Sequence, residues 1–380
     1  MGRSGTFVTN LTGALAYKSF KPSYLPLSPA LEINAELRSK LAETYRLLGQ
    51  LDAMANLIPD TNLYLAMYVR KEALISSQIE GTQATLDDIF DYEIDENTNL
   101  DVEEVIHYLK AIKFANERLE TLPISIRFIR EIHEILLSTS RGSNKQAGEL
   151  RKSQNWIGGI GSTLKNARFI PPNVEDMEKA LTNLEYFIHE DDDLDKIIKI
   201  ALIHYQFETI HPFLDGNGRI GRLLISLLLK QYGLLNNDLL YLSYYLKLNR
   251  QEYYDRLSDV RMKGSYEEWV YFFVDAVFVT AQHAIRTLER INELAIKNRA
   301  LLENLNKKRK VNALNLLNYL ETRPITNVKE AAKKINVTFK TANNLFELFK
   351  TLGIVVEKTK AIRYRRFIYE DYLIILRDGT

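Results

Sequence analysis

Cysteine is absent from the 380 residues. That excludes disulfides, thiolate zinc centres and a cysteine nucleophile, and it suits a reducing compartment, so a cytoplasmic protein is expected. Also missing is any run of about 18 apolar residues, so neither a membrane span nor a membrane partner is expected. The opening segment, MGRSGTFVTN, lacks the apolar core of a signal peptide. Gly2 and Thr6 fit the loose myristoylation pattern, a match too short to carry weight. Overall charge of one sign is lacking too, the formal net charge being +1. The balance is uneven, however: Leu305 to Ile368 holds 15 Lys and Arg against 4 Asp and Glu. Such a bias points to a separate basic module at the C-terminus.

With 46% apolar and 26% charged residues, the composition is that of ordinary globular protein. The length exceeds one typical core, so two or three domains are expected. Nearly every long segment has helical spacing. Leu37, Leu41, Tyr45, Leu48 and Leu51 fall three or four apart, predicting an amphipathic helix over 34–56. Further helices are expected over 62–82, stopping at Gly81, over 99–120, and over 123–137 with Pro123 near the start. Residues 148–173, rich in Gly, Asn and Ser and ending on two prolines, read as loop with a short hairpin. Helices resume over Asp176–Ile188, Asp195–Ile210, Ile220–Tyr232, Arg250–Met262 and Glu267 to about Asn304. The polar run NKKRKVN (306–312) reads as a boundary. Beyond it, 311–321, 327–335 and 338–353 predict three helices, and 354–369 alternates like a two-stranded ribbon, together a winged-helix arrangement. The fold class expected is mainly α, with a short β-hairpin and a C-terminal winged helix.

The densest chemistry is HPFLDGNGRIGR, residues 211 to 222. Pro212 breaks the preceding helix pattern, while Gly216 and Gly218 allow positive φ or close backbone approach. The next helix carries Ile220, Leu223, Leu224, Leu227 and Leu228 on a core face. DGNGR therefore opens a buried helix whose free N–H groups and dipole favour an anion. Arg219 and Arg222 are one turn apart and can converge on one ligand, which suits a polyphosphate. Asp215 beside phosphates suits Mg²⁺, and His211 is the group that titrates near neutrality, hence a general base. Each signal alone is weak. Jointly they describe one phosphoryl-transfer site, and no Walker-type motif competes.

This stretch resembles the signature of the Fic-domain family, H-P-F-x-[DE]-G-N-G-R-x-x-R, at every defined position. GELRKSQNWIGG (148–159) and EEWVYFF (267–273) are similar to that family as well. The resemblance implies a protein adenylyltransferase that moves AMP from ATP to a Ser, Thr or Tyr hydroxyl of a target protein. It implies His211 as base, Asp215 on Mg²⁺, and Gly216, Asn217 and Gly218 around the α- and β-phosphates. Arg219 would hold the β-phosphate and Arg222 the γ-phosphate. The hairpin 157–170 would be the flap that docks the target as an added strand. SSQIEG (76–81) resembles the family's inhibitory helix, so Ser76 and Glu80 are expected to form a brake, with Glu80 bonded to Arg222.

The implied division is an N-terminal helical region over 1–98 with the inhibitory helix at about 62–81, a Fic core over 99–305, and a winged helix over 306–380. A basic winged helix can meet DNA through 338–350 and the wing residues Arg363, Arg365 and Arg366, or it can pair proteins. Both stay open, as does a homodimer. The competing functions are a DNA-binding regulator whose core only senses nucleotide, and a Fic enzyme that removes AMP.

Overall fold

The computed structural model describes residues 2–57, 61–92, 99–139, 145–159, 161–237, 239–358 and 365–378. The chain opens on an antiparallel hairpin, β1 (Gly5–Asn10) and β2 (Tyr17–Pro22), for which the sequence carries no recognised turn signal. Phe7 pairs with Phe20 across it, and the Phe20 amide donates to the Ile170 carbonyl at 2.9 Å. The hairpin thus lies alongside residues 157–170.

Helices follow: α1 (Ala35–Leu57), α2 (Thr61–Ile79), the short α3 (Leu86–Tyr92), α4 (Leu100–Leu119), α5 (Ile126–Leu136) and α6 (Val174–His189). Side-chain caps set several starts. Asn99 accepts the Val102 amide, Ser125 that of Phe128, and Asn173 that of Asp176. Ser125, rather than Pro123, therefore opens α5. The centre of the molecule is α7 (Lys196–Ile210), next to α8 (Asn217–Gln231). The sequence suggests one apolar face for α7, yet every residue from Ile197 to Ile210 is buried. The reason is that α6, α8 and α11 all pack around it. After α9 (Ser243–Leu248) and α10 (Arg250–Lys263) comes α11 (Tyr266–Leu301), which also lies along α1.

The C-terminal unit comprises α12 (Lys307–Thr322), β3 (Ile325–Asn327), α13 (Val328–Lys334), α14 (Phe339–Thr351), β4 (Val356–Glu357), β5 (Arg366–Ile368) and α15 (Glu370–Arg377). Its strands form one antiparallel sheet in the order β3–β5–β4. The run 306–312, expected as a boundary, is the start of α12: Asn306 caps it by accepting the Arg309 amide at 3.0 Å. The unit does not stand apart. Its helices α12 and α15 pack on α2, and α15 also packs on α11. No helix is long and apolar enough to cross a membrane among the described residues.

Candidate functional site

The loop between α7 and α8 turns on His211, which sits in the left-handed region at φ 50, ψ 61. A non-glycine residue there needs outside support. It comes from the segment 151–155: Arg151 Nε donates to the His211 carbonyl at 3.0 Å, and Asn155 Nδ2 donates to it at 3.2 Å. Asn155 Nδ2 also reaches the Phe213 carbonyl at 2.9 Å, and the Arg151 amide the Pro212 carbonyl at 3.0 Å. Arg151 further donates to the Pro172 carbonyl at 2.6 Å, and burial pulls its pKa down to about 10. The segment 151–155 and the loop 211–213 are one hydrogen-bonded unit. Burial pushes the His211 pKa down to about 4, against the raising effect of the Glu208 carbonyl. The imidazole is therefore neutral at physiological pH, the form that accepts a proton.

Below it the loop enters α8. Gly216 caps the helix at φ 76, where an added Cβ would lie 3.2 Å from Leu136. The Asn217 side chain accepts the Phe213 amide and donates to the Phe213 carbonyl, both at 2.9 Å. The side chain is thus engaged in bracing the loop. Gly216 likewise donates its amide to Asp215 Oδ1 at 2.6 Å. His133, which local spacing does not mark, completes the brace. Its Nδ1 accepts the Gly148 amide at 2.9 Å, so the proton is on Nε2, which donates to the Asp215 carbonyl at 3.1 Å. It stacks on Phe213 at 3.7 Å, and burial takes its pKa down to about 4.

The two motif arginines are both buried on the first turns of α8. Arg222 is buried; its Nε donates to Ser76 Oγ at 2.8 Å, and its Nη2 to the Ser76 carbonyl at 2.9 Å and to Glu80 Oε1 at 2.6 Å. Burial would raise the Glu80 carboxyl, but Arg222 more than offsets this and holds it below the usual carboxylate range. Glu80 Oε1 lies over Gly218 so closely that a Cβ there would sit 2.2 Å away. Glycine is required at 218 for that approach. Arg219 is also buried, at 5% exposure, yet among the described residues its Nε and Nη1 have no hydrogen-bond partner. Its nearest carboxylates are Glu104 at 3.7 Å and Asp215 at 3.9 Å. A buried guanidinium with unbonded N–H groups is costly unless a ligand supplies acceptors.

Ser76 and Glu80 thus meet Arg222, Glu80 lies over Gly218, and Asp215 sits beside Gly216 and 3.9 Å from Arg219, with Asn217 at the same helix start and His211 in the loop before it. The expected flap is slighter than a ladder: a single bridge joins Ile157 and Phe169, with N–O distances of 2.8 and 3.0 Å. In the C-terminal unit, Arg365 pairs with Glu347 at 2.6 Å and with Glu357, and Lys350 pairs with both carboxylates. Arg363 lies outside the described residues. Of the other histidines, His204 is a satisfied core residue, donating from Nδ1 to the Gly221 carbonyl at 3.0 Å and accepting from Tyr253 at 2.9 Å.

Comparison with known proteins bears on family and fold. Residues 38–117 match the profile described as Fic/DOC family N-terminal, and residues 123–229 that of the Fic/DOC family. A protein adenylyltransferase Fic of Drosophila grimshawi is 27% identical over 210 residues, 54% of this chain and 37% of that protein. A probable protein adenylyltransferase of Aquifex aeolicus is 30% identical over 179 residues, 46% of this chain and 51% of that one. The chain therefore spans about a third to a half of these relatives. Two crystal structures share the fold. One, of a Fic family protein from Desulfovibrio desulfuricans, has TM-score 0.58 and 18% identity, covering 89% of this chain and 97% of the other. The second, of a Fic domain containing signaling protein from Bacteroides thetaiotaomicron, has TM-score 0.53 and 20% identity, covering 65% and 97%.

Proposed function

We propose that this chain, a member of the Fic/DOC family through residues 38–117 and 123–229, is a protein adenylyltransferase held back by its own Glu80. The observation that carries this reading is the buried arginine pair at the start of α8, one guanidinium engaged by Glu80 and the other short of acceptors. Such a pair suits the β- and γ-phosphates of ATP. His211 takes the proton from a target hydroxyl, whose oxygen attacks the α-phosphorus. The bond from that phosphorus to the bridging oxygen breaks, AMP stays on the target, and pyrophosphate leaves between Arg219 and Arg222. The partly exposed Asp215 carboxylate would hold Mg²⁺, which would supply charge to offset the phosphates.

Glu80 stands where the γ-phosphate would meet Arg222, so ATP that binds beside it is held out of line for attack. The flap over 157–170 is read as the place where the target lies, and the unit from Asn306 onward as a winged helix. With Arg365 and Lys350 neutralised by Glu347 and Glu357, that unit favours protein contacts over DNA phosphates. The test uses ATP labelled at the α- or the γ-phosphate. Wild type should label itself weakly and Glu80→Gly strongly, with the α-label alone. Equal α-label incorporation by the two proteins, across a range of ATP concentrations, would remove the brake from the reading. Transfer of the γ-label would replace adenylylation by phosphorylation.

A further inference from the structure

We infer that Glu104, on α4, is a second carboxylate set against the nucleotide, opposing the β-phosphate at Arg219 as Glu80 opposes the γ-phosphate at Arg222. The inference rests on the phosphate reading of the two arginines and adds a residue that the motif does not contain. Glu104 Oε2 lies 3.7 Å from Arg219 Nη1, with the side chains 16% and 6% exposed. At that distance the two charges attract, but no hydrogen bond forms. Arg219 is held without being satisfied, which is why its Nε and Nη1 lack partners. The same Glu104 Oε2 accepts a hydrogen bond from Thr82 Oγ1 at 3.3 Å. Thr82 is buried and follows Glu80 by two residues, just past the turn at Gly81 that ends the inhibitory segment. One carboxylate therefore holds both a phosphate-binding arginine and the end of the segment that carries the brake.

A phosphate oxygen reaching Arg219 would give the guanidinium the hydrogen bonds that Glu104 does not, and would meet the charge of Glu104 as repulsion. The effect belongs to the second phosphate of the nucleotide. A monophosphate has nothing to place at Arg219, a diphosphate contests Glu104 alone, and a triphosphate contests Glu104 and Glu80 together. Because Thr82 shares the Glu104 oxygen, a nucleotide that draws Arg219 away alters the hold on the residue behind Glu80. Glu104 is in this sense a positioning residue: it acts through Arg219 and Thr82 and does not touch the reacting atoms.

The experiment is calorimetric titration of AMP, ADP and ATP, each with Mg²⁺, into wild type, Glu104→Gln and Glu80→Gly. Glutamine keeps the shape and the Thr82 bond while removing the charge. Glu104→Gln should tighten ADP by about 3- to 10-fold, the size of one partly buried charge contact. AMP should bind it as it binds wild type, which also reports an intact fold. Glu80→Gly should tighten ATP more than ADP, because its charge stands chiefly at Arg222. Unchanged or weaker ADP binding by Glu104→Gln would overturn the inference, since Glu104 would then only pre-align Arg219. A gain equal for AMP and ADP would overturn it as well, because the effect would not lie at the second phosphate. Should the glutamine variant fail to fold, Glu104→Asp, which withdraws the charge by one methylene, should tighten ADP in the same sense and by less. The result is separable from the brake: tighter ADP binding by Glu104→Gln stands whether or not Glu80→Gly changes AMP transfer.

Discussion

At the scale of single residues, the site depends on which form each charged group takes in a buried setting. His211 is pushed to about pKa 4 by burial, so it is already a free base across the physiological range. The acid side of the activity profile should then fall near pH 4 to 5, well below the ordinary histidine value of about 6.5. In the Glu80→Gly background, His211→Ala should lower AMP transfer by about 10²–10⁴-fold, the usual contribution of a positioned base. ATP affinity by calorimetry should stay within a few-fold, since the imidazole acts on the incoming hydroxyl. Full activity in that double variant would dismiss His211 as the base. The groups of the motif were legible because the chemistry is contiguous: Asp215, Arg219 and Arg222 lie within one loop and one helical turn, and Glu80 follows Ser76 by one turn. Arg151, Asn155, His133 and Glu104 were not singled out. Each reaches the loop from another element, and nothing in its own neighbourhood in sequence marks it as a partner of residues 211–219.

Among the elements, the segment leading into the flap does more than the loop-like composition of 148–173 indicates. Arg151 is buried and makes its side-chain bonds to backbone carbonyls, including His211 at 3.0 Å, Pro172 at 2.6 Å and Ile210 at 3.4 Å. Replacing it with methionine fills much of the space but leaves these acceptors unbonded, at about 1–3 kcal/mol for each that finds no water. Arg151→Met should therefore lose about 3 kcal/mol or more in urea unfolding. It should also lower the turnover of the Glu80→Gly enzyme, because the left-handed turn at His211 loses its support. A variant of unchanged stability would show that the carbonyls are hydrated in solution. The helices were legible from their 3.6-residue spacing, with α7 the instructive exception. Wrapped on all sides, it has no polar face, so its pattern understates its burial. The N-terminal hairpin escaped because no Asn-Gly or Asp-Gly turn joins its strands, and β2 is fixed by a distant bond to Ile170. The short helices α3, α9 and α15 are too brief for periodicity to register.

On the scale of the whole molecule, the basic C-terminal unit packs on α2 and α11 and is tied to α3 as well. Asp87 on α3 binds Arg377 at 2.7 Å and Lys358 at 3.3 Å, and Lys71 on α2 donates to the Asp378 carbonyl. Composition reported the charge of that unit but could not report its packing. Several titratable groups are closed into the interior, and they set how stability follows pH. Burial lowers His133 and His211 to about 4 and His204 to about 3, so the folded chain keeps them neutral where the unfolded chain, near 6.5, takes up protons. Their contribution is complete above pH 6.5 and is lost as pH falls below it. Burial acts oppositely on carboxyls, raising Glu72 to about 8 and Glu208 to about 7 from 4.5. These stay protonated when folded but ionise when unfolded, so their contribution declines as pH rises from 4.5 through 8. Between pH 4.5 and 6.5 three histidines outweigh two carboxyls, and between 6.5 and 8 the carboxyls act without opposition from the histidines. Thermal stability should therefore peak near pH 6.5 and decline by a few degrees toward pH 8. Glu72→Gln, which keeps a polar partner for Ser243 but cannot ionise, should flatten the alkaline side in differential scanning calorimetry. An alkaline slope as steep in that variant as in wild type would show that Glu72 is not the group that titrates.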